Sequence, residues 1–183
     1  MRIELSQLRE GPVPYDIEFS PDFLDGEEGD GVRFDAATGS VTFALVGDEI
    51  SAKGELRTVV HALCGRCLTA VSMPLVVPVH LYFWHRAKFE SWSSGLEEGE
   101  VDPNAPDVNV YSGESFDPDE DLRELVLLEA PTVFLCSEKC KGLCPSCGAD
   151  LNKETCSCPK GEDADDPMMP AWKRNLKKIH LQD

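Results

Sequence analysis

The sequence predicts an α+β protein, a mainly antiparallel β-sheet domain with one core helix and a C-terminal cysteine-rich zinc-binding knuckle. Three observations carry this. Five stretches rich in Val, Ile, Thr and aromatics are punctuated by Gly, Pro, Asp and Ser. One stretch near 118–129 has helical spacing behind an acidic, proline-marked start. Eight cysteines fall in two groups among 183 residues. The implied layout is a β domain over 1–131, a metal knuckle over 132–160, and an acidic linker with a basic tail over 161–183.

The predicted strands are 15–19, 32–34, 41–46, 50–63 and 71–84. Val41, Phe43 and Leu45 alternate with polar neighbours, as do Leu56, Thr58, Val60 and Ala62. That period of two places one set of side chains on a buried face. Short connections favour antiparallel pairing, because a parallel pair needs a crossover of about a dozen residues or more. Pro74 and Pro78 mark the last strand as an edge or a bulged one, since proline cannot donate to a ladder.

Residues 90–121 hold eleven carboxylates and neither Lys nor Arg. With Gly95, Gly99, Pro103, Pro106 and Gly113 among them, about 90–115 reads as a mobile acidic loop. Asp117, Pro118, Asp119, Glu120 and Asp121 then open the helix, where acids suit the orphan amides and the macrodipole. Leu122, Leu125 and Val126 form its apolar face, and Pro131 ends it.

The 17 basic and 34 acidic residues leave a net charge of −17. Such a balance counts against a general nucleic-acid sleeve and against an anionic membrane as partner. Residues 22–30, 90–121 and 162–166 carry 20 of the 34 acids and read as solvated loops. No stretch approaches the roughly 18–20 apolar residues of a membrane span. The start, Met1-Arg2-Ile3-Glu4-Leu5-Ser6, lacks a cationic segment followed by an apolar one. A cytoplasmic protein with reduced thiols is therefore expected.

The tail differs. Trp172, Leu176 and Ile179 fall on one face of a short helix, with Lys173, Arg174, Lys177 and Lys178 around them. This reads either as a docked terminal helix or as a basic arm touching RNA or an acidic partner.

The cysteines carry the chemistry. Cys64-Gly65-Arg66-Cys67 is a C-x-x-C, and Cys136, Cys140, Cys144, Cys147, Cys156 and Cys158 follow in one short segment. Zinc takes thiolates in fours, tetrahedrally, and a C-x-x-C lets two sulfurs reach one ion from a tight turn. Cys144-Pro145-Ser146-Cys147-Gly148 adds a proline that fixes the turn and a glycine that lets the backbone curl back. A first site of Cys144, Cys147, Cys156 and Cys158 is expected, with Cys64, Cys67, Cys136 and Cys140 as a second. Pairing Cys64 and Cys67 with Cys144 and Cys147 satisfies the spacing rules too. The competing reading is a thiol redox pair at Cys64 and Cys67, activated by Arg66. A catalytic zinc would keep an open position and use His or carboxylate ligands. His61, His80, His85 and His180 show no ligand spacing.

The run Leu135-Cys136-Ser137-Glu138-Lys139-Cys140-Lys141-Gly142-Leu143-Cys144-Pro145-Ser146-Cys147-Gly148, followed by Cys156-Ser157-Cys158, resembles the YceD family. Cys64-Gly65-Arg66-Cys67-Leu68, the 122–131 helix and Asp166-Pro167 with its lysine-rich tail extend the likeness over roughly 50–180. The resemblance implies a bacterial or organellar cytosolic protein without catalytic activity. It would support accumulation of large-subunit ribosomal RNA, with a ribosomal protein or the precursor RNA as partner and no small-molecule substrate. Zinc would then be a fold clamp. The negative charge favours a basic ribosomal protein as the direct partner, with the basic tail as a secondary contact.

Overall fold

A computed structural model describes residues 1–25, 31–95 and 107–158. In chain order it holds β1 (Ile3–Glu4), α1 (Leu5–Glu10), β2 (Val13–Phe19), α2 (Pro21–Asp25), β3 (Arg33–Phe34), β4 (Ala37–Val46) and β5 (Glu49–Leu63). There follow β6 (Ala70–His85), α3 (Arg86–Ser93), β7 (Asn109–Tyr111), β8 (Ser115–Phe116) and α4 (Asp119–Glu129). The fold is α+β with a mostly antiparallel sheet. The chain divides into two compact units, Met1–Cys140 and Lys141–Asp183.

In the first unit the main sheet runs β2-β4-β5-β6-β7, with β3 also pairing β5, and β1 pairs β8 separately. The β5–β6 hairpin is the spine. Its strands are 15 and 16 residues long and stay in register from Glu49↔Trp84 to Leu63↔Ala70. Period-two alternation buries Ile50, Ala52, Leu56, Val60, Leu75, Val77, Val79 and Phe83 on one face. Phe43, Phe83 and Phe116 stack around the core, with Phe116 5.8 Å from Phe43 and 5.0 Å from Phe83.

Two glycines let β4 and β5 close up. A Cβ on Gly39 would lie 2.0 Å from Glu55 O, and one on Gly54 2.1 Å from Ser40 O. No side chain fits at either position, which explains glycine inside two central strands where it is otherwise unfavourable.

Pro74 and Pro78 stand on an edge, as their chemistry requires. Among the described residues, β6 pairs beyond β5 only with β7, at Phe83–His85. That pair is parallel, a departure from the antiparallel pattern, and the crossover through 86–108 has the length a parallel pair needs.

The helix near 118–129 is α4, the core helix. Asp119, Glu120 and Asp121 occupy its first turn, and Leu122 and Val126 are fully buried. Arg123 Nε donates to Phe23 O at 2.6 Å and Nη2 to Leu24 O at 3.3 Å, tying α4 to the end of α2. Ala130 turns extended, ahead of Pro131, and stops the helix.

Among the described residues three further helices, which the sequence did not announce, accompany this core helix. α1 buries only Leu5 and Leu8, α2 has five residues, and α3 buries none. None offers enough apolar repeats to register as a helical period. The loop expected over 90–115 is corrected at both ends, since α3 runs to Ser93 and β7 and β8 begin at Asn109 and Ser115. Residues 96–106, the acids at 162–166, and Trp172, Lys173, Arg174, Lys177 and Lys178 lie outside the described residues.

Candidate metal centres

The tip of the β5–β6 hairpin is a metal knuckle in form. After the Leu63↔Ala70 pair closes the ladder, Cys64 N donates to Thr69 O at 2.8 Å and Leu68 N to Cys64 O at 2.9 Å. These bonds curl the C-x-x-C so that both sulfurs point one way. Leu68, directly after the second cysteine, sits at φ 58°, the left-handed region. The second arm arrives from α4. Phe134 O accepts from Gly65 N at 2.8 Å, and Arg66 Nη1 donates to Glu138 O at 3.2 Å and Cys140 O at 2.9 Å. The arm is thereby stitched to the knuckle through its backbone.

The sulfurs of Cys64, Cys67, Cys136 and Cys140 all lie within 4.8 Å of one another. Cys64 Sγ is 3.9 Å from Cys140 Sγ, and Cys67 Sγ is 3.5 Å from Cys136 Sγ. A tetrahedral ion with Zn–S near 2.3 Å would set its sulfurs about 3.8 Å apart. These separations fit that figure, and they are far beyond the ~2.05 Å of a disulfide.

The second unit repeats the knuckle. Cys144 N donates to Ala149 O at 2.8 Å and Gly148 N to Cys144 O at 2.9 Å, with Gly148 at φ 75°. Leu143 bridges Asp150, Leu151 N donates to Gly142 O at 3.0 Å, and Lys141 N to Asn152 Oδ1 at 2.8 Å. The sulfurs of Cys144, Cys147, Cys156 and Cys158 again lie within 4.8 Å of one another.

Each cluster polarises its thiols in the same way. Amide hydrogens from Cys136, Arg66 and Cys67 hold Cys64 down to about 6. Those of Cys147 and Ser146 do the same for Cys144, also about 6. The Thr69 hydroxyl, 3.3 Å away, lowers Cys67. On the opposing arms, hydrogen bonding to Cys67 and Cys140 pushes Cys136 up to about 12. Bonding to Cys147 pushes Cys158 up to about 12. Bonding to Cys144 raises Cys156. Amides aimed at sulfur are what a thiolate set needs, so the donor chemistry of both clusters fits a soft divalent ion.

The structure therefore gathers Cys64 and Cys67 with Cys136 and Cys140, and Cys144 and Cys147 with Cys156 and Cys158. The reading of Cys64 and Cys67 as an isolated redox pair finds no support in this grouping. No described histidine joins a cluster. His61 lies 2.8 Å from Ser72 Oγ and 3.1 Å from Asp35 Oδ1, and His85 Nδ1 caps α3 by accepting from Ala87 N. Thr69, Phe134 and the carbonyl contacts of Arg66 were not foreseen from sequence. Only the Leu68 position had a precedent to read, in Gly148 after the other knuckle.

A family model described as large ribosomal RNA subunit accumulation protein YceD matches residues 52–179. The chain belongs to the YceD family. The match takes in both clusters and α4. A curated YceD relative, the large ribosomal RNA subunit accumulation protein YCED homolog 1, chloroplastic, of Arabidopsis thaliana, is 30% identical over 73 residues. That alignment covers 40% of this chain and 20% of the relative, so the chain spans about a fifth of that protein. No solved structure matches this YceD chain. Among the described residues no helix is long and apolar enough to cross a membrane.

Proposed function

We propose that this chain is a non-enzymatic accessory factor of large ribosomal subunit biogenesis, supporting accumulation of the large-subunit RNA. The YceD match over 52–179 carries the reading. The protein acts in the cytoplasm on macromolecular partners, without a small-molecule substrate. At −17 it is attracted to a basic ribosomal protein more than to naked RNA. Trp172, Lys173, Arg174, Lys177 and Lys178 supply a secondary contact to the precursor RNA.

Each four-cysteine cluster holds one structural zinc, which fastens a segment with few apolar groups of its own. Both donor sets are complete with four sulfurs, leaving no place for the water of a catalytic site. The chain's own contribution is to orient the sulfurs by the two knuckles and to aim amides at them.

Depleting the protein tests the role. Loss of mature large-subunit RNA with small-subunit RNA retained is expected, and unchanged ratios overturn it. Pull-down across a salt gradient tests the partner. Capture of a ribosomal protein is expected, and exclusive RNA capture with a steep salt slope, abolished by neutralising the tail, would replace it. Elemental analysis with thiol counting before and after chelation tests the metal. Two ions and no free thiols are expected, and eight free thiols with no ion removes it.

A further inference from the structure

The two clusters share a knuckle but not their surroundings. In the first, Cys64 is 0%, Cys67 6% and Cys140 5% exposed, and of its four ligands Cys136 alone is open to solvent. Its arms come from the end of a long hairpin and from the segment after α4, whose Leu122 and Val126 are fully buried. Opening this site means parting Gly65 N from Phe134 O and Arg66 from two carbonyls, against a sheet and a helix that belong to the core.

In the second, all four ligands come from residues 144–158. Cys147 is exposed, and Cys156 and Cys158 are half-buried. Within the described part of that unit the only buried residues are Gly142 and Cys144. The arm with Cys156 and Cys158 has no helix or strand. A short segment without a packed core opens locally at small cost, whereas one built into the core opens only with it.

We infer that Cys144, Cys147, Cys156 and Cys158 form an exchangeable metal site, one that passes its ion to competing soft ligands, while Cys64, Cys67, Cys136 and Cys140 keep theirs. The inference rests on the metal reading above. In the exchange the incoming ligand takes the divalent ion at the exposed Cys147 side. The departing cysteines recover protons from solvent, and no electrons move. The first cluster then preserves the sheet domain whether or not the second is loaded.

The test uses the full zinc-loaded chain mixed with excess 4-(2-pyridylazo)resorcinol, a chromogenic chelator. Two ions per chain should leave in two phases of equal size, the fast one about tenfold or more ahead of the slow. Cys158→Ser should remove the fast phase alone and leave the thermal transition of the sheet domain in place. Cys136→Ser should remove the slow phase. Since that variant can fail to fold, Cys158→Ser carries the decision. Release of both ions in one phase, or a fast phase surviving in Cys158→Ser, overturns the inference while leaving two structural ions intact. A single ion per chain overturns it as well. No ion at all overturns this inference and the metal reading together.

Discussion

Leu68 and Gly148 hold the same place in two separate knuckles, each directly after the second cysteine of a C-x-x-C, at φ 58° and 75°. The flanking bonds match to the tenth of an ångström. The first cysteine donates to the fifth residue on at 2.8 Å and accepts from the fourth at 2.9 Å. The turn thus dictates a left-handed residue, and only one of the two knuckles has the residue type that adopts it without strain.

A leucine at positive φ costs about 1–2 kcal/mol, partly offset because glycine loses more chain entropy on folding. Leu68→Gly is therefore expected to stabilise the first unit by about 0.5–1 kcal/mol. Gly148→Ala should weaken the second knuckle by about 1 kcal/mol. Denaturant melts of the first and chelator competition on the second measure the pair. A destabilised Leu68→Gly would mean that the half-exposed leucine makes contacts worth more than its strain.

Gly54→Ala tests the close approach of β4 and β5. The added methyl would meet backbone, not a movable side chain, since Ser40 O lies 2.1 Å from its position. Overpacking costs about 1–3 kcal/mol, and the upper end or beyond is expected here. Chemical denaturation should give a lower midpoint, and an unchanged one would show that the strands part freely.

Asp121 gives the stability a pH dependence. Burial first, then the charges of Glu124, Asp117 and Glu120, push its carboxyl up to about 6 from 3.8. The folded state then holds a proton that the unfolded chain releases. Stability from this group falls as pH rises from about 4 to about 6 and stays low above that. Asp121→Asn should melt higher than the parent near pH 7 and lose that advantage near pH 4. An equal difference at both pH values would assign the effect to packing.

Cys140→Ser should cut the metal content by one ion and lower the melting temperature of the sheet domain. Removing one ligand leaves three sulfurs around an ion that structural sites hold with four. Inductively coupled plasma analysis with circular dichroism measures both. Two ions retained would move the fourth ligand elsewhere.

Much of this was legible in the sequence. The long strands announced themselves because one buried face forces alternation, as in Leu56, Val60 and their partners Val77 and Met73. α4 was legible from its acids, its apolar face of Leu122, Leu125 and Val126, and Pro131. α3 was not, since it buries nothing and leaves no periodic trace. The cysteine count implied two sets of four, but the choice of members is a tertiary fact. Cys64 and Cys140 meet across 76 residues, and no local spacing encodes that closure. Leu68 hid its turn because leucine carries none of the signal that glycine does.

Pro74 and Pro78 have one more effect. Both fall on the same parity along β6, so the missing N–H groups lie on one side of the strand, away from β5. A second chain laid alongside would find the donors at these two rungs gone, which interrupts a continuous ladder. Among crowded, half-made polypeptides, that border resists fibril growth through its own covalent chemistry.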